Sequence, residues 1–351
     1  MRRTLWKWHG YFGLAAALPL FLIALTGSLL VFKAEIDGLL MPEVVQAAAP
    51  ERLPLNQLVR QAQGALGDHE ILGWQPAEAP GQADRIYVAK MGTYDWQKAF
   101  IDPSNGQLLS PPVSTIHYLT DWLLEFHYTF LAGPVGIAVG ALVSLLFLAL
   151  GVTGVILHRH FWKTFFTLRW GKSLRLFLSD LHKMLGISGA PIFLVLGFTG
   201  AWWNIDHLLH EALEPDHSEF KLTHRYYRSD LDFDAMLSEA RQALPGFEAT
   251  YIRFPDKSFP GIHLFGHQVQ ASSLRSLYGS IASFDDQSGQ RTGLLDVTEA
   301  GVIYQFEDTF KPLHYGTFGG LVTRVLWCIV GFFPCLMALS GYLMWRKRVK
   351  R

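Results

Sequence analysis

The sequence predicts a membrane protein that combines an all-α bundle of four transmembrane helices with two small α+β external domains, organised as an internal twofold repeat. Three observations predict this fold: four long apolar runs, a one-sided distribution of basic residues, and motifs that recur at constant offsets. Half of the 351 residues are hydrophobic. A soluble protein of this length has no need for four separate apolar runs of about 20 residues each.

Each apolar run can cross a hydrocarbon core of roughly 30 Å as a helix. The runs cover approximately residues 11–32, 132–157, 185–205 and 320–345. Charged Lys33, Glu35 and Asp37 follow the first run where a signal peptide would have a small-residue cleavage site, so we interpret it as a retained helix. The predicted boundaries are helices at 1–33, 127–158, 182–206 and 314–346, external domains at 34–126 and 207–313, a cytoplasmic loop at 159–181 and a tail at 347–351.

Basic residues are concentrated in three short segments: the N-terminus, the middle loop and the C-terminus. Together these segments contain 14 Lys and Arg residues and one acid, Asp180. The two long segments, 34–126 and 207–313, carry 12 acids against 5 bases and 16 acids against 9 bases. The positive-inside rule therefore predicts that both termini and the middle loop lie in the cytoplasm. We expect the two long segments to lie outside the cytoplasm and the chain to have no nucleic-acid partner.

Motifs recur in the two halves of the chain and predict the internal repeat. At an offset of 173, the pairs are His9 with His182, Gly13 with Gly186, and Thr26-Gly27 with Thr199-Gly200. At an offset of 187, the pairs are His127 with His314, Gly133 with Gly320, and Thr153-Gly154 with Ser340-Gly341. Outside the apolar runs, an amphipathic helix pattern at 55–66 recurs at 233–244, and a hairpin turn at 100–107 resembles the one at 284–290. Each half is therefore expected to be helix, external domain, helix.

The histidine–glycine openings, the Thr-Gly pairs near helix ends and the closing Gly341-Tyr342-Leu343-Met344-Trp345-Arg346 resemble the PepSY-associated transmembrane family. The resemblance covers nearly the whole chain and implies that the external domains are PepSY-like. Members of that family include inner-membrane iron–siderophore reductases of the ferrioxamine type. The resemblance therefore implies a ferric siderophore, or another ferric chelate, as the substrate. It also implies a bacterial inner membrane location with the large domains in the periplasm. It does not identify a catalytic residue.

Four histidines at matching depths form two predicted pairs on the bundle axis, His9 with His182 and His127 with His314. Haem iron in an electron-transfer centre takes two axial imidazoles, so the pattern predicts two haem groups. Neither Cys328 nor Cys335 belongs to a C-x-x-C-H string, which predicts non-covalent b-type haem. The other interpretation of each histidine is an anchor at the membrane interface.

Two further residues are candidates at these sites. His158 also lies at the cytoplasmic face and is an alternative to His9 as the partner of His182. Arg324 stands inside the fourth apolar run, where a charge is costly and often functional. We interpret Arg324 as a haem-propionate partner, with snorkelling to the interface as the alternative.

The leading hypothesis is a di-haem transmembrane electron-transfer protein that reduces a ferric chelate outside the membrane. The cytoplasmic loop is too short for a flavin or nicotinamide domain, so the electrons are expected from a cytoplasmic donor protein or from quinol. Two alternatives from other classes are a PepSY-type binding or regulatory membrane protein without redox activity, and a transporter of small solutes or metals. A coloured membrane fraction with a haem spectrum would favour the leading hypothesis.

Overall fold

The computed structural model describes residues 2–163, 165, 167–213 and 221–349. Parts of four predicted segments lie outside the described residues: 1 in the first helix, 164 and 166 in the loop, 214–220 in the second external domain, and 350–351 in the tail. The chain divides into two compact units. The helical unit comprises Met1–Lys33, Thr120–Glu214 and Leu313–Arg351, and the sheet unit comprises Ala34–Leu119 and Pro215–Pro312.

The elements follow one another in a regular order. The helices are α1 (Arg2–Leu30), α2 (Lys33–Leu40), α3 (Pro42–Val45), α4 (Leu55–Ala65), α5 (Leu119–Thr129), α6 (Gly133–Leu157), α7 (Leu174–Leu213), α8 (Phe233–Ala243), α9 (Val302–Asp308), α10 (Phe310–Tyr315), α11 (Gly320–Gly331) and α12 (Phe333–Val349). The strands are β1 (His69–Gln75), β2 (Asp84–Lys90), β3 (Trp96–Ile101), β4 (Val113–Ser114), β5 (Phe247–Arg253), β6 (Ile262–Gln268), β7 (Ser280–Phe284) and β8 (Arg291–Leu295).

Four helical segments in the described part of the chain are long and apolar enough to cross a membrane. They are α1, α6, most of α7, and the stretch Thr317–Lys347, which contains α11 and most of α12. The prediction of four membrane helices is thereby confirmed, and the protein is a multi-pass membrane protein. Their packing leaves many large apolar side chains exposed, as lipid contact requires.

The second membrane helix begins at Gly133, and the predicted start at residue 127 was wrong. His127 lies instead on the separate helix α5. Between α5 and α6 the backbone turns through left-handed conformations, with φ of 51° at Phe130 and 59° at Leu131. Pro134 follows at the start of α6, where its missing N–H costs nothing. The two helices therefore meet at a corner, which sets the direction from which His127 approaches the bundle.

The fourth membrane helix is interrupted in a similar way, so the predicted single helix at 314–346 was also wrong. His314 lies on the short helix α10, and Gly316 (φ 70°) and Gly320 (φ 62°) separate α10 from α11. The side-chain-free glycines adopt this left-handed backbone without steric cost. Both His127 and His314 therefore lie on short helices that precede the membrane-spanning segments.

The third membrane helix is longer than the predicted 182–206, because α7 covers Leu174–Leu213. The Ser173 hydroxyl accepts a hydrogen bond from the Leu176 amide at 3.3 Å, as an N-cap residue does. Asp180, near the start of α7, is paired with Arg169 at 2.7 Å. The helix therefore begins in residues that the sequence analysis assigned to the loop.

The two segments that were predicted to form separate external domains form one unit with a single sheet. Its eight strands are antiparallel, in the order β4-β3-β2-β1-β5-β6-β7-β8. The central pairing joins β1 to β5, with Gly73 opposite Arg253 and Trp74 opposite Ile252. As separate domains, each segment would expose β1 or β5 as an unpaired edge, and pairing the two strands removes both edges.

Helices α4 and α8 join the same apolar core, which includes Leu58, Trp74, Met236 and Phe254. Their N-termini cap each other. The amides of Leu55 and Asn56 donate to the Asp234 carboxylate, and the Phe233 amide donates to the Asn56 side chain. The two segments thus share one core as well as one sheet.

A polar cluster fastens the two segments beside this core. Asp256 is buried and accepts hydrogen bonds from Arg253, Ser258 and the Tyr94 hydroxyl of the first segment. Burial opposes ionisation, but the hydrogen bonds from Ser258 and the Arg253 charge lower the pKa of the Asp256 carboxyl below its usual value. Asp256 is therefore held as a carboxylate.

Candidate functional site

His127 and His314 face each other in the helical unit. Their ring centres are 6.5 Å apart, and the ring planes are inclined at 73°. The α5–α6 corner positions the first ring, and the glycine-rich break after α10 positions the second. Trp203 of α7 packs against the His314 ring at 5.1 Å between ring centres. The predicted pair is thus brought together by two non-spanning helices and one long spanning helix.

His9 and His182 lie on α1 and α7, near the other ends of those helices. The His9 ring binds the Thr153 hydroxyl of α6, and the His182 ring binds the Ser340 hydroxyl of α12. The alternative residue His158 caps the end of α6, where its backbone amide binds the Gly154 carbonyl at 3.0 Å. The charged neighbours of His158 are Lys183 and Arg2.

Each of the four histidines binds a hydroxyl side chain on another helix through Nδ1. The distances are 2.8 Å from His9 to Thr153, 3.0 Å from His127 to Thr26, 3.0 Å from His182 to Ser340 and 2.7 Å from His314 to Thr199. The hydroxyl residue is followed by glycine in every case. We call each hydroxyl–glycine pair a histidine seat: Thr26-Gly27, Thr153-Gly154, Thr199-Gly200 and Ser340-Gly341.

The seat glycines leave room for the imidazoles. A Cβ atom added to Gly27 would lie 2.7 Å from Cε1 of His127. The corresponding separations are 3.6 Å for Gly154 and His9, 3.7 Å for Gly341 and His182, and 3.9 Å for Gly200 and His314. Each ring therefore lies against bare backbone, most tightly at Gly27.

The Arg324 guanidinium binds within the helical unit. It donates to the Val31 carbonyl at 2.8 Å and lies over the Phe32 ring, 4.7 Å from the ring centre. This carbonyl lies just beyond the end of α1, where helix carbonyls lack intrahelical partners. The arrangement explains how a charge is tolerated within the fourth apolar run.

The sequence analysis used the Thr-Gly and Ser-Gly pairs only as evidence for a repeat and missed their contacts with the histidines. A signal for those contacts was present in the sequence, because the number of hydroxyl–glycine pairs equals the number of candidate histidines: four of each. The contribution of Trp203 left no comparable signal, since one tryptophan among 11 has no distinguishing pattern.

Comparison with known proteins identifies two similarities. The family model described as "PepSY-associated TM region" matches residues 6–348. An uncharacterized protein of Pseudomonas aeruginosa is 27% identical over 254 residues, which is 65% of this chain and 63% of that protein. The chain thus matches somewhat less than two thirds of the length of this relative.

Proposed function

The chain belongs to the PepSY-associated transmembrane family, and from this premise we propose that it is a di-haem b-type transmembrane electron-transfer protein. The observation that carries the proposal is the facing of His127 and His314 with ring centres 6.5 Å apart. Two facing imidazoles from separate helices could hold a haem group through its iron.

The residues of the His127–His314 pair fit the proposed group. Imidazole nitrogens bind metal ions at about 2 Å, so two rings on opposite sides of one ion have centres roughly 6 Å apart. The observed separation agrees with this arrangement. The pair supplies only two ligands, and the described residues contain no group of three or more His, Cys, Asp or Glu at metal-binding distance, which suits haem iron better than a tetrahedral zinc site.

When bound, haem would supply one-electron chemistry. The contribution of the chain would be to hold and orient the imidazoles and to surround them with apolar side chains. His9 and His182 would hold the second group, with His158 as the alternative ligand in place of His9. Arg324 remains a proposed propionate partner, since a guanidinium has five N–H donors and can bind a carboxylate besides the Val31 carbonyl.

The proposed substrate is a ferric chelate, most simply a ferric siderophore, reduced on the periplasmic side of the inner membrane. Hard oxygen ligands hold Fe(III) much better than Fe(II), so reduction releases the iron. The electrons would come from a cytoplasmic protein or from quinol. Support for the substrate is the family resemblance alone, which suggests an activity without fixing it.

We also infer an internal repeat. Helices α4 and α8 have 11 residues each, and β1, β5, β2 and β6 have seven each. Both β1 and β5 carry a register shift, between Ile71 and Gly73 and between Ala249 and Tyr251. Together with the four seats, these equal lengths support two copies of one structural unit.

The test is spectroscopic. Purified protein should show a b-type haem spectrum, and a pyridine haemochrome assay should approach two haems per chain. His127→Ala and His314→Ala should each reduce the ratio to about one. A colourless preparation of folded protein would exclude the electron-transfer function and favour a regulatory or transport role.

The reductase step is tested separately. Chemically reduced protein should be reoxidised when a ferric siderophore is added, and a ferrous chelator should trap the Fe(II) product. The protein could instead bind two haems and keep its ferrous spectrum with every ferric chelate tried. That result would support electron transfer but exclude a ferric chelate as the substrate.

A further inference from the structure

We propose that Thr26, Thr153, Thr199 and Ser340, the hydroxyl residues of the four seats, are positioning residues that fix the tautomer of each histidine. In that tautomer Nδ1 carries the proton and Nε2 presents its lone pair. This inference deepens the proposed function and rests on it. The evidence is that each of the four hydroxyls has the same two kinds of hydrogen-bond partner: a backbone carbonyl of its own helix and Nδ1 of a histidine.

Each seat hydroxyl has one proton, and a backbone carbonyl of its own helix takes it. Oγ1 of Thr26 lies 2.8 Å from the Leu22 carbonyl, and the next three seats repeat the contact. Those three distances are 2.7 Å from Thr153 to Ala149, 2.8 Å from Thr199 to Val195, and 3.1 Å from Ser340 to Met337. A carbonyl can only accept a hydrogen bond, so the hydroxyl must be the donor. What remains on the hydroxyl oxygen is a lone pair, which accepts from the imidazole.

His127 provides an independent argument for the same tautomer. Its Nδ1 lies 3.0 Å from the Ile23 carbonyl as well as 3.0 Å from the Thr26 hydroxyl. Without a proton on Nδ1, that nitrogen would face the carbonyl as a second acceptor. In the described part of the chain, the hydrogen-bond partners of Nδ1 in His9, His182 and His314 are their seat hydroxyls alone.

The tautomer decides which nitrogen can bind a metal. A neutral imidazole binds through the nitrogen that lacks a proton, and the hydrogen bond made by the other nitrogen sets the ring orientation. An acceptor on Nδ1–H also makes the ligand more basic, which stabilises the ferric state. The seats would therefore lower the reduction potential as well as orient the rings.

The four rings differ in their hydrogen-bond partners, so the inference predicts effects of different size for different substitutions. Valine is nearly isosteric with threonine but cannot accept a hydrogen bond. Thr199→Val removes the hydroxyl that accepts a hydrogen bond from His314. In Thr26→Val, by contrast, His127 can still donate a hydrogen bond to the Ile23 carbonyl. At the other pair, Thr153→Val removes the acceptor of His9, and Ser340→Ala removes the acceptor of His182.

The experiment measures haem content and midpoint potential in purified full-length variants. Thr199→Val should shift the potential of one haem positively and weaken haem retention about ten-fold or more. Thr199→Ser, which keeps the hydroxyl, should match the wild type, and Thr26→Val should give a clearly smaller shift than Thr199→Val. Thr153→Val and Ser340→Ala should each shift the potential of the second haem positively.

Circular dichroism melting distinguishes loss of the hydrogen bond from loss of the fold. An unchanged potential in folded, haem-bound Thr199→Val would overturn the inference, and so would equal shifts in Thr199→Val and Thr26→Val. A wild type that binds no haem would instead remove the proposed function. The two failures are therefore distinguishable.

Discussion

Gly27 is the most closely approached of the four seat glycines. A Cβ at this position would lie 2.7 Å from Cε1 and 3.3 Å from Nδ1 of His127. The Nδ1 atom of that imidazole also binds the Thr26 hydroxyl and the Ile23 carbonyl. The ring therefore cannot move away from an added methyl group without lengthening these hydrogen bonds.

We predict that Gly27→Ala displaces the His127 ring and lowers the haem content of the protein from two towards one per chain. The measurement is the pyridine haemochrome ratio of the purified variant. Gly341→Ala and Gly154→Ala are matched controls, because their added Cβ atoms would make ordinary contacts of 3.7 and 3.6 Å with His182 and His9. Equal loss in all three variants would contradict the steric argument.

At the level of single residues, the sequence predicted the four histidines as candidates but did not predict the hydroxyl residues that bind them. Their spacing is visible because the offsets of 173 and 187 are constant along the chain. The seats required knowledge of which helix faces which, since His9 binds α6 while His127 binds α1. No local pattern encodes that choice of partner.

Among the helices, the corner between α5 and α6 is the sharpest departure from regular geometry. Phe130 and Leu131 adopt left-handed backbone angles, which cost roughly 1–2 kcal/mol for each residue with a Cβ. The corner brings the Thr129 carbonyl so close to Gly136 that a Cβ there would overlap the oxygen atom. Backbone atoms cannot move aside as a flexible side chain can.

We predict that Gly136→Ala prevents the corner from closing and reduces both the melting temperature and the haem associated with His127. Gly133→Ala is the control, because the space around its Cβ is open and its φ of 52° adds only a strain of roughly 1–2 kcal/mol. Melting curves of both variants, followed by circular dichroism, should place Gly136→Ala well below Gly133→Ala. The reverse order would show that backbone strain outweighs the overlap.

Hydropathy predicted the membrane helices correctly because apolar length is a property of the local sequence. It missed the corner because Phe130 and Leu131 are not residues that favour left-handed angles. The joining of β1 to β5 was missed for a related reason: strands separated by more than 170 residues carry no local sign of pairing. The amphipathic helices at 55–66 and 233–244 were predicted well, because their periodicity records the face that α4 and α8 bury.

For the molecule as a whole, the distribution of charge predicts orientation in the membrane. The three short segments carry 14 basic residues and one acid. We predict that reporter fusions after residues 110, 170, 260 and 351 read out, in, out and in. The physical reason is that basic residues next to membrane helices are retained in the cytoplasm. An outward signal at residue 170 would invert the topology and place the sheet unit in the cytoplasm.

The seam between β1 and β5 bears on how such a chain could arise. A polypeptide of half this length, built from one pair of membrane helices and one four-stranded segment, would end its sheet at the equivalent of β1. Antiparallel pairing lets that strand join an identical strand around a twofold axis. On the proposed internal repeat, the half-length ancestor would then be a homodimer, with a histidine bound at each of the four seats. Gene duplication and fusion would turn that dimer into a single chain without remaking the interface, and the two halves would afterwards be free to diverge.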